Sequence, residues 1–276
     1  MSHSNTLWKM VKTFGDTGEQ KLQNARGVAI NQDGDVAVTD SPAKRVYIYD
    51  IKNGKLKIAI DTTMHSNPSN FTSKPHGIAV CQDKYVVCDE TFYPTVYDNC
   101  GNYIQQIKVT KYKEHGTFSI GSNSQGQVLV GHWNVKHIGV YNLNDGKLAS
   151  SSAIPHSAWY IAVSSDDSRI ILSANGSEGA RVIDSKGQTI HVLSLPTDVS
   201  SSWCPTGVCT IGEGEDEEIF VCSWSPQGVY RFSLTTGKYL GCITTDVSSP
   251  RGIACADDGR IVVAETQCVK VFAPCT

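Results

Sequence analysis

The chain has 276 residues, 18% charged and 40% hydrophobic, with 24 Lys and Arg against 27 Asp and Glu for a formal net charge of −3. This composition excludes a disordered chain, because enough apolar surface is present to offset the entropy of ordering, and it excludes a uniformly basic nucleic-acid binder. No apolar run approaches the roughly 18 residues of a membrane span, and the start MSHSNTLWKMVKTFG lacks the apolar region of a signal peptide, so a soluble cytoplasmic protein without a membrane partner is expected.

The first predicted element is a strand in LWKMVKTFG (7–15), with aromatic residues at both ends. After it comes RGVAI (26), the first of six related segments; the others are HGIAV (76), FSIGS (118), WYIAV (159), TGVCT (206) and RGIAC (251). Their second residues stand at 27, 77, 119, 160, 207 and 252, hence steps of 50, 42, 41, 47 and 45. In each copy a short apolar run leads through a polar turn, such as NQDGD or ADDGR, into a second run, such as VAVTD or IVVAE. Asp, Asn and Gly tolerate the turn dihedrals, so each pair reads as a hairpin. A third run follows (RVYIYD, HIGVYN, VKVFA), and a Gly-containing turn such as NGK or TGK leads to a fourth.

Four antiparallel strands per copy make one propeller blade. The blades start near residues 25, 75, 117, 158, 205 and 250. The sixth copy ends at VKVFAPCT without a fourth strand, which would leave an open edge; the strand at 7–15 can fill it and close the ring. The expectation is an all-β, six-bladed β-propeller, a single monomeric domain over 1–276.

The stretch ARGVAINQDGDVAVTDSPAKRVYIYDIKNGK resembles an NHL repeat, with its P-x-G-[VI]-A-V opening, its strand ending in Asp and its Gly turn. Copies one, two and six match well, five is interrupted by GEGEDEE, and three and four are degraded. The resemblance covers essentially the whole chain and implies a propeller like that at the C-terminus of tripartite-motif ubiquitin ligases. Within that family such domains recruit protein substrates or bind single-stranded RNA. No RING, B-box or coiled-coil segment is recognisable here, so ligase activity is not expected of this chain.

Ligands reach a propeller on the face formed by the starts of the inner strands and the connections between second and third strands. The residues placed there as partner-binding are Arg26, Lys44, Arg45, His76, Phe92, Tyr93, His132, Trp133, Lys136, Trp159, Trp224 and Arg251. Aromatic residues beside Arg and Lys suit base stacking or a protein hot spot. The bland alternatives are that the tryptophans wedge between blades, and that Arg26 and Arg251 pair with Asp40 and Glu265 of their own blades. The opposite face, made of hairpin turns, collects Asp33, Asp83, Asp166, Asp167, Glu215, Asp257 and Asp258.

Of the ten cysteines, Cys88, Cys209, Cys222 and Cys255 sit in apolar runs and read as buried free thiols of a reducing compartment. GEGEDEE reads as a solvated insertion without calcium-loop order, and the sequons at Asn70 and Asn175 as chance. His76 and His132 with Asp89 and Glu265 could begin a metal site of a lyase or lactonase, but a three-histidine set is missing. The expected function is noncatalytic recognition of a protein or single-stranded RNA without cofactor, with a metal-dependent propeller enzyme as the alternative.

Overall fold

The computed structural model describes residues 7–18, 21–65, 73–89, 93–109, 116–132, 134–174, 178–200 and 202–275. Strand β1 (Trp8–Phe14) precedes a first blade of β2 (Ala25–Ile30), β3 (Asp35–Asp40), β4 (Arg45–Asp50) and β5 (Leu56–Asp61). The second blade is β6 (Pro75–Cys81), β7 (Lys84–Asp89), β8 (Thr95–Tyr97) and β9 (Tyr103–Gln106); the third is β10 (Thr117–Ser122), β11 (Gln127–His132), β12 (His137–Asn142) and β13 (Leu148–Ala153). The fourth is β14 (Tyr160–Val163), β15 (Arg169–Ser173), β16 (Ala180–Asp184) and β17 (Thr189–Leu193); the fifth is β18 (Pro205–Ile211), β19 (Glu218–Trp224), β20 (Gln227–Ser233) and β21 (Tyr239–Thr244). In the sixth, β22 (Ile253–Cys255), β23 (Ile261–Ala264) and β24 (Val269–Pro274) are completed on the outside by β1.

Closure follows the expected logic. Strand β1 runs antiparallel to β24, from Trp8 opposite Pro274 to Phe14 opposite Val269, and pairs the edge that the last copy leaves open. Its two aromatic ends anchor it to the blades on either side: Trp8 meets Phe220 edge-on at 5.8 Å, and Phe14 packs on Tyr49 at 5.0 Å.

Burial falls from the inside of each blade outward, and composition follows it. In β3, DVAVTD is buried at every residue because both faces of the blade meet neighbours; in β13, LASSSA is almost wholly exposed. Alternate side chains therefore feed two different interfaces. Val36, Val38, Tyr47 and Tyr49 of blade one pack with Val262 and Val271 of blade six, while Ala37, Val46 and Ile48 pack with Tyr85, Val87 and Tyr97 of blade two. Each buried Val or Ile among them contributes about 1.5–3 kcal/mol of burial.

Around the central channel the blades meet without sheet pairing. The repeated glycine allows the approach: a Cβ on Gly77 would lie 2.8 Å from the Phe118 carbonyl oxygen, and one on Gly252 2.6 Å from that of Arg26. Hydroxyls supply the links between neighbouring blades. Thr39 donates to the His76 carbonyl at 2.6 Å, Ser119 to that of Ala158 at 3.0 Å and Thr206 to that of Pro250 at 2.9 Å.

Two expectations are corrected. Cys209 and Cys255 are joined as a disulfide between the inner strands of blades five and six, because equivalent strands of neighbouring blades run side by side at the channel; Cys88 and Cys222 are free and fully buried. The insertion Gly212–Glu218 is solvated only in part. Glu217 is buried and accepts the backbone N–H and hydroxyl of Ser165 in blade four, both at 2.9 Å.

Candidate recognition face at the channel mouth

The inner-strand starts and the loops between second and third strands share one end of the ring, as the pairing of Ala25 with Asp40 fixes. His76, Phe118 and Trp159 come from the corresponding starts of blades two, three and four. Their rings form an arc, with centroids 4.1 Å apart for His76 and Phe118 and 5.6 Å apart for Phe118 and Trp159. His76 is buried within this arc, whereas Phe118 and Trp159 are half-buried.

On the other side of the mouth, Trp224 at the end of β19 is 50% exposed. Its indole N–H lies 3.3 Å from the Ser249 hydroxyl, and the Arg251 guanidinium lies 5.4 Å from its ring centroid, a cation–π geometry. This tryptophan is no wedge between blades. Trp203 is one: it packs on Phe232 at 5.6 Å against the core between blades four and five.

Among the described residues, the carboxylates of the channel arginines' own blades are taken up by other groups. Asp40 accepts the backbone N–H groups of Gln23 at 2.7 Å and Asn24 at 3.2 Å. Glu265 is buried beside Lys270 at 3.2 Å and accepts from the Cys268 thiol at 3.4 Å. Local backbone donors and a neighbouring ammonium reach these carboxylates first.

The remaining expected site residues spread outward from the mouth. Lys44, at φ +54°, ends the turn from Ser41, and its carbonyl accepts from the backbone N–H and hydroxyl of Thr62. Arg45 stands 4.0 Å from Asp61, and Lys136 stands 3.8 Å from Glu178 of the next blade, so both positive charges are partly offset. His132 is buried at the end of β11, and Tyr93 packs against the core between blades two and three. Phe92 and Trp133 lie outside the described residues, as do Asn70 and Asn175.

Sequence reasoning passed over Tyr160 and His156. Tyr160 fills the position that is glycine in four of the other five copies, and its hydroxyl crosses the channel from blade four to donate to the Arg26 carbonyl of blade one at 3.2 Å. Burial pushes its phenol up to about 12, against the opposing pull of Arg26 and Arg251. The signal was the misfit in WYIAV, a large polar ring where the repeat calls for no side chain. Farther toward the hairpin-turn face, Val, Ala and Ile side chains of all six inner strands line a channel cavity of 230 Å³. His156 is 1% exposed and donates through Nδ1–H to the Ser157 carbonyl, 3.1 Å away, while its Nε2 has no partner. Burial first, and then the Arg181 charge, lower its pKa.

The opposite face carries a concavity of 380 Å³ lined by Asp33, Asp83, Asp257 and Asp258 with Lys52 and Arg260. Several carboxylates there serve the fold: Asp167 accepts the N–H and hydroxyl of Ser124 from the neighbouring blade, and Asp258 holds Arg260 at 2.6 Å. Among the described residues no three His, Cys, Asp or Glu side chains gather into a group that could hold a metal, and no helix is long and apolar enough to cross a membrane.

No family model matches the chain, and no curated protein matches it. Among solved structures, that of a streptogramin B lyase is similar over 97% of this chain and 98% of its own, with 14% identity and a TM-score of 0.67. The β-propeller domain of Cps50 (Swd1) from Myceliophteria thermophila is similar over 92% of this chain and 84% of its own, with 11% identity and a TM-score of 0.64. Both likenesses concern the propeller fold.

Proposed function

We propose that this propeller is a noncatalytic recognition module, resembling NHL domains, that binds a protein partner on the channel-mouth face. The arc of His76, Phe118 and Trp159 carries the reading: three blades present rings at one mouth, opposite an exposed Trp224. Rigid aromatic anchors with an arginine beside them are the composition of a protein hot spot. Single-stranded RNA ranks second because Arg45 and Lys136 already stand beside carboxylates, which thins the basic field that RNA needs. A metal-dependent lyase is the enzymatic alternative, and one similar propeller is a lyase.

The test is affinity capture with the whole chain, with proteins and crosslinked RNA both identified. Reversing Arg26, Lys136 and Arg251 to Glu should abolish capture while the fold survives, and neutralising Asp257 and Asp258 should leave it intact. Loss of capture only in the second variant would move the functional surface to the hairpin-turn face. Tightly held stoichiometric zinc or calcium in the purified chain would favour the enzyme.

A further inference from the structure

We infer that the channel mouth seats a carboxylate of the protein partner on Arg251, with the exposed ring of Trp224 as the side wall and Tyr160 as the floor. This rests on the protein-partner reading above and narrows it to one chemical group at one place.

Arg251 is a cation at the mouth that the fold leaves without an ion pair among the described residues, and its Nε is buried without a hydrogen-bond partner. The Glu265 carboxylate of its own blade stands 3.2 Å from the Lys270 ammonium and accepts from the Cys268 thiol. The guanidinium is thus partly enclosed, and a charge held this way without a partner is costly. The residue is also held in place before any ligand comes. Its backbone N–H donates to the Ala264 carbonyl at 2.8 Å, and its own carbonyl accepts from Gly207 at 2.5 Å, which pins it to the seam of blades five and six.

The side wall is equally fixed. Trp224 is tied through its indole N–H to Ser249, so the ring stays under the guanidinium while half of it remains exposed. A planar guanidinium on an indole presents its fork to one acceptor pair, the bidentate geometry that a carboxylate fits. Tyr160 closes the channel below, and its hydroxyl is spent on the Arg26 carbonyl, so the incoming group stops at the mouth. The charge of Arg26 also reaches Tyr160, which places positive potential from two blades around this point. A nucleic acid would need a row of cations along its backbone. Of the other cations near the mouth, Arg45 and Lys136 are each beside an acidic residue, which interrupts a continuous phosphate track and favours a single anion.

Random dodecapeptides, synthesised once with free and once with amidated C-termini, would be selected on the immobilised whole chain, with oligouridylate as a parallel probe. The expected binders carry an Asp or Glu, or need the free C-terminus. Exchanging that group for Asn, Gln or amide should weaken binding at least about ten-fold, as desolvated charge pairs do. In an Arg251→Gln chain the same exchange should cost almost nothing, and Arg251→Lys should restore only part of the loss; circular dichroism checks that both fold. The comparison of the two libraries tells a side-chain carboxylate from a terminal one. Peptides that bind the mouth without a carboxylate, or whose carboxylate is coupled to a cation other than Arg251, overturn the inference and leave the protein-partner reading standing. If oligouridylate binds and no peptide does, both fall.

Discussion

Tyr160 stands where the repeat otherwise needs no side chain, and the hydroxyl that crosses to Arg26 shows how a departure from a repeat becomes a specific contact. Glu217 is a second departure. Within an acidic insertion it alone is buried, and its two accepted hydrogen bonds join blade five to blade four. Glu217→Ala should destabilise the protein by about 1–3 kcal/mol in denaturant unfolding, while Glu215→Ala on the exposed part should have no measurable effect. His156 sets a dependence on pH. Its folded pKa lies below the ordinary 6.5, so the unfolded chain binds the extra proton first, and stability present above that pH is lost as pH falls through it. Thermal melts between about pH 7.5 and about pH 5, values chosen to bracket the histidine range, should show this loss. His156→Gln should flatten that part of the curve.

At the scale of the element, β1 is the strand whose pairing closes the ring. Deleting residues 1–15 should bare the edge of β24 and remove the Trp8 and Phe14 anchors, lowering the melting temperature and causing aggregation visible by light scattering. An unchanged melting temperature in a monomeric truncation would refute the closing role. This element was legible in the sequence, because a sixth copy that lacks its fourth strand requires one from elsewhere. The hairpins were legible for a similar reason, since Asp, Asn and Gly mark each turn between apolar runs. The side-chain pairing at the mouth was not. Asp40 stands in the right loop to meet Arg26, yet the amides of Gln23 and Asn24 are closer along the folded chain, and no spacing in the sequence encodes that competition. Likewise, the apolar surroundings of Cys209 and Cys255 suggested inert thiols; only the lateral contact of two blades brings them together.

For the whole molecule, that cross-link joins two of the six blades around the channel. The cysteines are 46 residues apart, and a bridge of that span removes about 4 kcal/mol of freedom from the unfolded chain in the loop-entropy account. Reducing agent should therefore lower the melting temperature by several degrees, and Cys209→Ser should give the lower value with or without reductant. Equal melting temperatures for all four samples would mean that the bridge contributes nothing. Closure by β1 has a further result for how the ring can be tethered. The Cys275 N–H donates to the Leu7 carbonyl at 2.6 Å, so the two described ends of the chain touch on the outer rim, at the hairpin-turn side of blade six. A segment joined to either end would start from that one point, and two such segments would act as a single leash. The leash would hold the ring by its acidic side and turn the aromatic mouth outward, toward whatever comes within reach.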